Sequence, residues 1–308
     1  MPAPIRPLHL AVSIDRPGVR DAGPYVRAAR LAERGRLDFV TLGDTLGPPR
    51  RGESRLDALA VLARVAPATR RIGLVPTVTT THTEPFHVAD AVSTLDQVSN
   101  GRAGWTAEVS ATEAEARHFG RRAPAPADAL WREAAAVADV AARRWDSWEP
   151  RPPQGRPVTA VDATRLPPRE AAARHADVVY LRTGPTPAPG AVRAARDDLH
   201  ARLRALGRDP GRVVFLASLP VALYAAADAV ALADLAGSWW ADGVVDGFHF
   251  RPRDPDRDLA LLVDGTVPVL QHRGLLRSFY PGGTLREHLC LPRPANRYAA
   301  AATVGRTA

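Results

Sequence analysis

The sequence predicts an α/β fold closed as a (β/α)8 barrel, and three observations carry that expectation. Strand-like and helix-like runs alternate eight times along the 308 residues. The alternation continues across the Pro-rich stretches 150–157 and 185–189, which therefore read as loops within one domain spanning residues 1–308. No G-x-G-x-x-G or G-x-x-x-x-G-K marks a dinucleotide-binding or phosphate-loop sheet. A doubly wound open sheet of about eight strands is the rival architecture for the same pattern.

Leu8 to Asp15 reads as the first strand, and Tyr25 to Gly35 as a helix with Val26, Ala29 and Ala32 on one face. Asp38 to Asp44 is the second strand. Ser54 then caps a helix through Leu56, Leu59, Ala60 and Ala63. Ile72 to Val78 is the third strand, Thr79 to Thr83 is polar, and Pro85 opens a helix carrying Phe86, Ala89, Val92, Leu95 and Val98. Arg102 to Ser110 is the fourth strand, with a short helical piece at 111–119 and a long helix from Asp128 to Trp148. Pro157 to Thr164, Asp177 to Thr183, Arg212 to Ser218 and Val244 to Phe250 complete the eight strands. Helices at 167–176, 190–207, Ala225 to Ala241 and Asp256 to Arg273 follow them in turn, and 277–308 reads as an extension packed on the barrel.

Apolar content of 45% with 24% charge is that of a globular chain able to bury a core. The longest apolar run, 213–224, is broken by Ser218 and Pro220 and is too short to span a bilayer, and the N-terminus carries no signal-peptide pattern. The single Cys290 excludes an internal disulfide framework and fits a reducing cytoplasm. The net charge of +8 comes from 41 arginines spread from end to end, with no lysine. No basic run is interleaved with aromatics, so nucleic acid is not an expected partner, although an anionic small ligand is favoured.

The stretch "EPFHVADAVSTLDQVSNGRAGW" resembles the bacterial luciferase-like, flavin-dependent monooxygenases, in the branch holding the nitrilotriacetate, alkane and dibenzothiophene-sulfone monooxygenases. "AARLAERGRLDFVTLGDTL", "RRIGLVPTVTTT" and "GLLRSFYPGGTLREHLCLPRPANRY" are similar to further family segments in the same order. The resemblance covers most of 8–145 and 240–298. It implies a TIM barrel that oxygenates a small organic substrate, here in specialised metabolism, with reduced FMN delivered by a separate flavin reductase. It also implies a homodimer through helices near the second and third strands. The flavin would carry the chemistry, leaving position, dryness and electrostatics to the protein.

Carried over by position, the resemblance puts Asp44 beside the flavin and Thr80 at the isoalloxazine edge. His82 stands where a tyrosine is common and becomes the candidate catalytic residue, a titratable group near the reaction centre. Trp105 matches, Thr106 replaces the following asparagine, and Ser110 keeps the end of that pattern. Trp131 and Ala127 fall where a tyrosine and a histidine help hold the phosphate, and Arg165 where a phosphate-binding serine stands in "VDATRLPPRE". Insertions typical of the branch, around strand five and after strand six, are missing. The expected consequence is a shortened lid and weakly bound or lost FMN.

Simpler readings exist for several of these residues. Asp44 can cap the next loop or pair with an arginine. Arg165 can be a solvated loop charge, and Trp105, Trp239 and Trp240 can be core. His82, Glu84 and His87 lack the spacing of a metal site, so no metal is expected. No G-x-S-x-G surrounds Ser110. The competing function is a relative that has lost flavin chemistry and serves as a non-redox enzyme or a non-catalytic partner subunit.

Overall fold

The computed structural model describes residues 7–47, 55–147 and 150–296. Eight parallel strands pair in chain order and close on themselves, β1 with β8. They are β1 (His9–Ser13), β2 (Phe39–Leu42), β3 (Gly73–Thr79), β4 (Gly104–Glu108), β5 (Val158–Asp162), β6 (Val178–Arg182), β7 (Val214–Val221) and β8 (Gly247–Pro252). Closure requires a glycine at the start of β8, because a Cβ on Gly247 would collide with the backbone of His9. The open sheet is thus excluded.

The helices are α1 (Gly23–Arg34), α2 (Ala58–Val65), α3 (Pro85–Val98), α4 (Glu113–Phe119), α5 (Ala127–Ser147), α6 (Pro167–His175), α7 (Pro189–Ala205), α8 (Ala226–Ala241), α9 (Arg257–Leu261), α10 (Val267–His272) and α11 (Leu285–His288). Strand side chains alternate between two destinations. Outward residues such as Leu10, Val40, Leu74, Trp105, Phe215 and Phe248 join the helices in the larger core. Inward residues such as Phe39, Val75, Val158 and Val214 fill the lumen with Leu285, Leu289 and Leu291. The segment around α11 therefore plugs the N-terminal end of the barrel.

Two expectations meet a different structure. The expected cap Ser54 lies outside the described residues, and α2 is capped instead by Asp57, whose side chain accepts from Ala60 N at 2.7 Å. The last helix is not continuous: Leu262–Thr266 forms a π-turn between α9 and α10. Pro268 lacks the amide that a regular helix would use there. A Cβ on Gly265 would sit 2.6 Å from that of Ala229, and the Thr266 hydroxyl donates to Ala229 O at 2.9 Å, so the bulge is pressed against α8.

Candidate functional site

The polar ends of the strands gather at the C-terminal mouth. The threonine run is a staple between two of them. The Thr80 amide and hydroxyl both donate to the Glu108 carbonyl, at 2.9 and 3.1 Å, and Ser110 N donates to the Thr81 hydroxyl at 3.1 Å. Asp15 ties β1 to β2, accepting from the Ser13 hydroxyl at 2.6 Å and from Gly43 N at 2.6 Å.

His249 lies at the centre of the lumen, enclosed between β2, β6 and β7. Its Nε2 bonds the Thr41 hydroxyl at 2.9 Å, its Nδ1 bonds the Ser218 hydroxyl at 2.9 Å, and its ring centroid is 4.9 Å from that of Tyr180. Burial, reinforced by Arg182 and Arg251, pushes its pKa down to about 3, so the imidazole is neutral. The two hydroxyls adapt to whichever tautomer it adopts. Burial also raises the pKa of the Tyr180 phenol, which stays protonated beside Thr106.

Above His249 stand four charged residues. Arg182 pairs with Asp162, whose other oxygen accepts from the Thr164 amide and hydroxyl at 3.1 and 2.6 Å. Arg251 donates to Thr183 O at 3.1 Å and more weakly to Ser218 O at 3.5 Å. Burial pushes the Glu108 carboxyl up, and the nearby carboxylates of Asp162 and Glu115 add to it. None of Tyr180, Arg182, His249 and Arg251 was among the expected site residues. Their signal was period-2 polarity inside apolar strands, as in "VVYLR" and "GFHFR".

The expected site residues divide into two groups. Thr80, Thr106 and Ser110 are buried at the mouth, just past the end of β3, on β4 and in the β4–α4 loop respectively. Asp44 is at its edge, where it accepts from Thr45 N and Ala58 N at 2.7 and 3.0 Å and pairs with Arg55 at 2.9 Å. Both bonding roles considered for that residue are present. Trp131 is buried on α5 and lines a 530 Å3 cleft against Pro167 of α6. Arg165 is exposed in the β5–α6 turn.

His82 stands apart. It stacks on Phe119 with centroids 4.8 Å apart and lines a 350 Å3 cleft with Glu84, Arg121, Arg122, Glu133 and Val137. Its backbone is left-handed, φ 65°, a conformation in which few residues other than glycine are at ease. Burial and the Arg122 charge lower its pKa below the ordinary histidine value. Among the described residues no three acidic, His or Cys side chains cluster as a metal site, and no helix is long and apolar enough to cross a membrane.

The donor chemistry suits a flavin. Thr106 and Ser110 present buried hydroxyls near the mouth, and Arg165 is an exposed guanidinium in the turn before α6, a group chemically suited to a phosphate.

Comparison with known proteins gives this arrangement a lineage. The chain is 27% identical to nitrilotriacetate monooxygenase component A of Aminobacter aminovorans, with 89% of this chain and 91% of the relative covered over 415 aligned positions. It is 31% identical to the shorter of two matching pristinamycin IIA synthase subunits of Streptomyces pristinaespiralis, with 97% and 99% covered over 321 positions. The solved structure of EDTA monooxygenase from Chelativorans sp. BNC1 superposes with a TM-score of 0.83 at 22% identity, covering 94% of this chain and 99% of that one. The family described as luciferase-like monooxygenase matches residues 9–261, and the chain belongs to that family of flavin-dependent monooxygenases.

Proposed function

We propose that the protein is a reduced-FMN, dioxygen-dependent monooxygenase of a small organic substrate, working at the barrel mouth. One observation carries the reading: a family match spanning all eight strands coincides with a mouth whose hydroxyls and fixed charges surround a neutral, desolvated His249. Reduced FMN, when bound, supplies the electrons that activate oxygen. Thr80, Thr106, Ser110 and Asp44 orient the ring and its chain, Arg165 and Trp131 face the phosphate end, and His82 exchanges a proton. A separate flavin reductase supplies the cofactor. A homodimer in the cytoplasm is the working form; the exposed Phe86 and Val98 on α3 suit a helical contact, and the lone free Cys290 suits a reducing compartment.

A second reading is a partner subunit without its own flavin chemistry; the comparisons bear only on its subunit part. The chain aligns with the shorter pristinamycin IIA synthase subunit with few gaps, whereas the nitrilotriacetate monooxygenase alignment needs 415 positions for a 308-residue chain. One titration separates the two. Reduced FMN is added anaerobically while flavin fluorescence is followed, and oxygen is then admitted with oxygen uptake recorded. Micromolar or weaker saturable binding, with flavin-dependent uptake, supports the monooxygenase. No binding of either flavin redox state at millimolar concentration hands the chain to the second reading.

A further inference from the structure

We infer that Arg182 and Arg251 form a carboxylate-binding subsite on the β6–β8 side of the mouth, so that the substrate is a small organic acid. This rests on the barrel mouth being the reacting site.

The argument begins with unused donors. A guanidinium carries five N–H groups and no acceptor. Arg182 contacts Asp162 through Nε, and Asp162's other oxygen is already taken by Thr164. No hydrogen bond from the terminal nitrogens of Arg182 is formed among the described residues, although its side chain is 54% exposed and solvent reaches it. Arg251 uses one terminal nitrogen on Thr183 O and Ser218 O, while its Nε is buried without a partner. Leaving a buried charged donor unsatisfied is unfavourable, and an incoming anion would relieve it.

The two side chains also converge. Arg182 is in register with Ser218 on β7, and Arg251 reaches across β7 to the Ser218 carbonyl. Arg251 is held below its ordinary pKa by burial and by the nearby Arg182 charge. Beneath them His249 is neutral, with both nitrogens committed, so it neither adds charge nor bonds either guanidinium. Two planar forks with free N–H pairs match the two oxygens of a carboxylate better than any neutral group.

Glu108 decides the pH dependence. It faces Asp162 from β5, Arg182 from β6 and Glu115 from α4. With Glu108 ionised, the set of Glu108, Asp162, Glu115, Arg182 and Arg251 carries −1; with it protonated, the set is neutral. A bound carboxylate therefore favours protonated Glu108, and binding tightens as pH falls through that group's raised pKa.

Calorimetric titration of the full chain tests this with succinate, its neutral isostere succinamide, FMN and riboflavin. Expected are saturable binding of succinate with proton uptake, none of succinamide, and a loss of about 10- to 100-fold for succinate in Arg251→Gln and in Arg182→Gln. Arg182→Gln alters a solvent-accessible side chain and keeps the test open if Arg251→Gln melts early. Succinate binding unchanged in a folded variant overturns the proposal. So does a variant that loses FMN while keeping riboflavin, because the arginines would then hold the flavin phosphate. If neither flavin binds the wild-type chain, the oxygenase reading fails, while succinate titrations still judge the subsite on their own.

Discussion

The two ends of the barrel both carry charged residues but pair them differently. At the N-terminal end an aspartate stands immediately before three even-numbered strands, and each accepts from the backbone of the odd strand beside it. Asp38 takes Leu10 N at 2.7 Å, Asp177 takes Thr159 N at 3.1 Å, and Asp246 takes Phe215 N at 2.9 Å. An arginine closes each one: Arg277 at 2.9 Å, Arg286 at 2.7 Å and Arg196 at 2.8 Å. Two of these arginines come from the C-terminal segment that plugs the lumen, so the seal is ionic as well as apolar. At the C-terminal end, among the described residues, Arg251 Nε and the terminal nitrogens of Arg182 have no partner, and burial raises the Glu108 pKa. Three aspartate–arginine pairs tied to strand amides mark the end that holds the fold, and arginine donors without a protein partner among the described residues mark the end left for ligand.

The sharpest way to break this contrast is Asp38→Ala. Asp38 is fully buried, and its pKa is held down to about 2; burial alone would raise it, but Arg277, His9 and the Leu10 amide outweigh that. Removing it leaves the Arg277 charge and a strand amide without their acceptor. A loss of about 3–5 kcal/mol in urea unfolding is expected. A loss under about 1 kcal/mol would mean that the N-terminal end is no more tightly paired than the mouth.

Acid should expose both ends together. His249 below the mouth and His288 in the plug stay neutral until about pH 3 and about pH 4, both mainly because burial disfavours the imidazolium. Unfolded histidines protonate below about 6.5, so the unfolded state binds more protons and stability falls as pH drops below that value. At pH 5 each contributes a loss of about 2 kcal/mol. Asp96 acts in the opposite sense. Burial raises its pKa to about 6, so the folded state takes up a proton first and regains about 1 kcal/mol over the same interval. Melting temperatures at pH 8 and pH 5 should differ accordingly, and His249→Gln should halve the histidine part. A flat profile would remove the case for a neutral lumen.

The barrel was legible because apolar period and strand order survive in one sequence: Pro85 opens α3 as expected, and β1 to β8 occur in the predicted order. Boundaries near β8 were not. Val244 and Val245 are apolar and buried yet lie in the preceding turn, since burial there comes from packing under α8 rather than from strand pairing. The aspartates before the even strands were visible as letters in "LDFV", "ADVV" and "VDGF", but their meaning depends on arginines 50 to more than 200 residues away. The mouth was hardest. Each strand contributes only one or two polar residues, and only closure brings Thr41, Tyr180, Ser218 and His249 around one point.

A smaller effect is expected at His82, whose cleft lies outside the lumen. His82→Asn tolerates the left-handed backbone and removes the titrating ring. Stability should change by less than about 1 kcal/mol, while turnover falls by roughly 10²-fold if the ring moves a proton. The pH profile of the wild type should then bend below the ordinary histidine value, the direction set by burial and Arg122. Full activity with an unchanged profile would leave His82 only its stack on Phe119.

The smallest structural effect belongs to Arg165, and it completes the comparison. It is exposed and makes none of the pairings that hold the N-terminal end, so Arg165→Ala should alter stability by no more than about 0.5 kcal/mol. Its place beside the start of α6 still suits a phosphate, where a guanidinium can make two parallel charge-assisted bonds. Losing them should weaken FMN by about 10- to 100-fold and leave riboflavin, which has no phosphate, unaffected. Fluorescence titration of both flavins against wild type and variant reads the difference directly. Equal weakening of FMN and riboflavin would mean that Arg165 shapes the turn rather than the phosphate site. No change in either would move the phosphate to another arginine, and Arg182, with its unused donors at the same rim, would be the first to substitute.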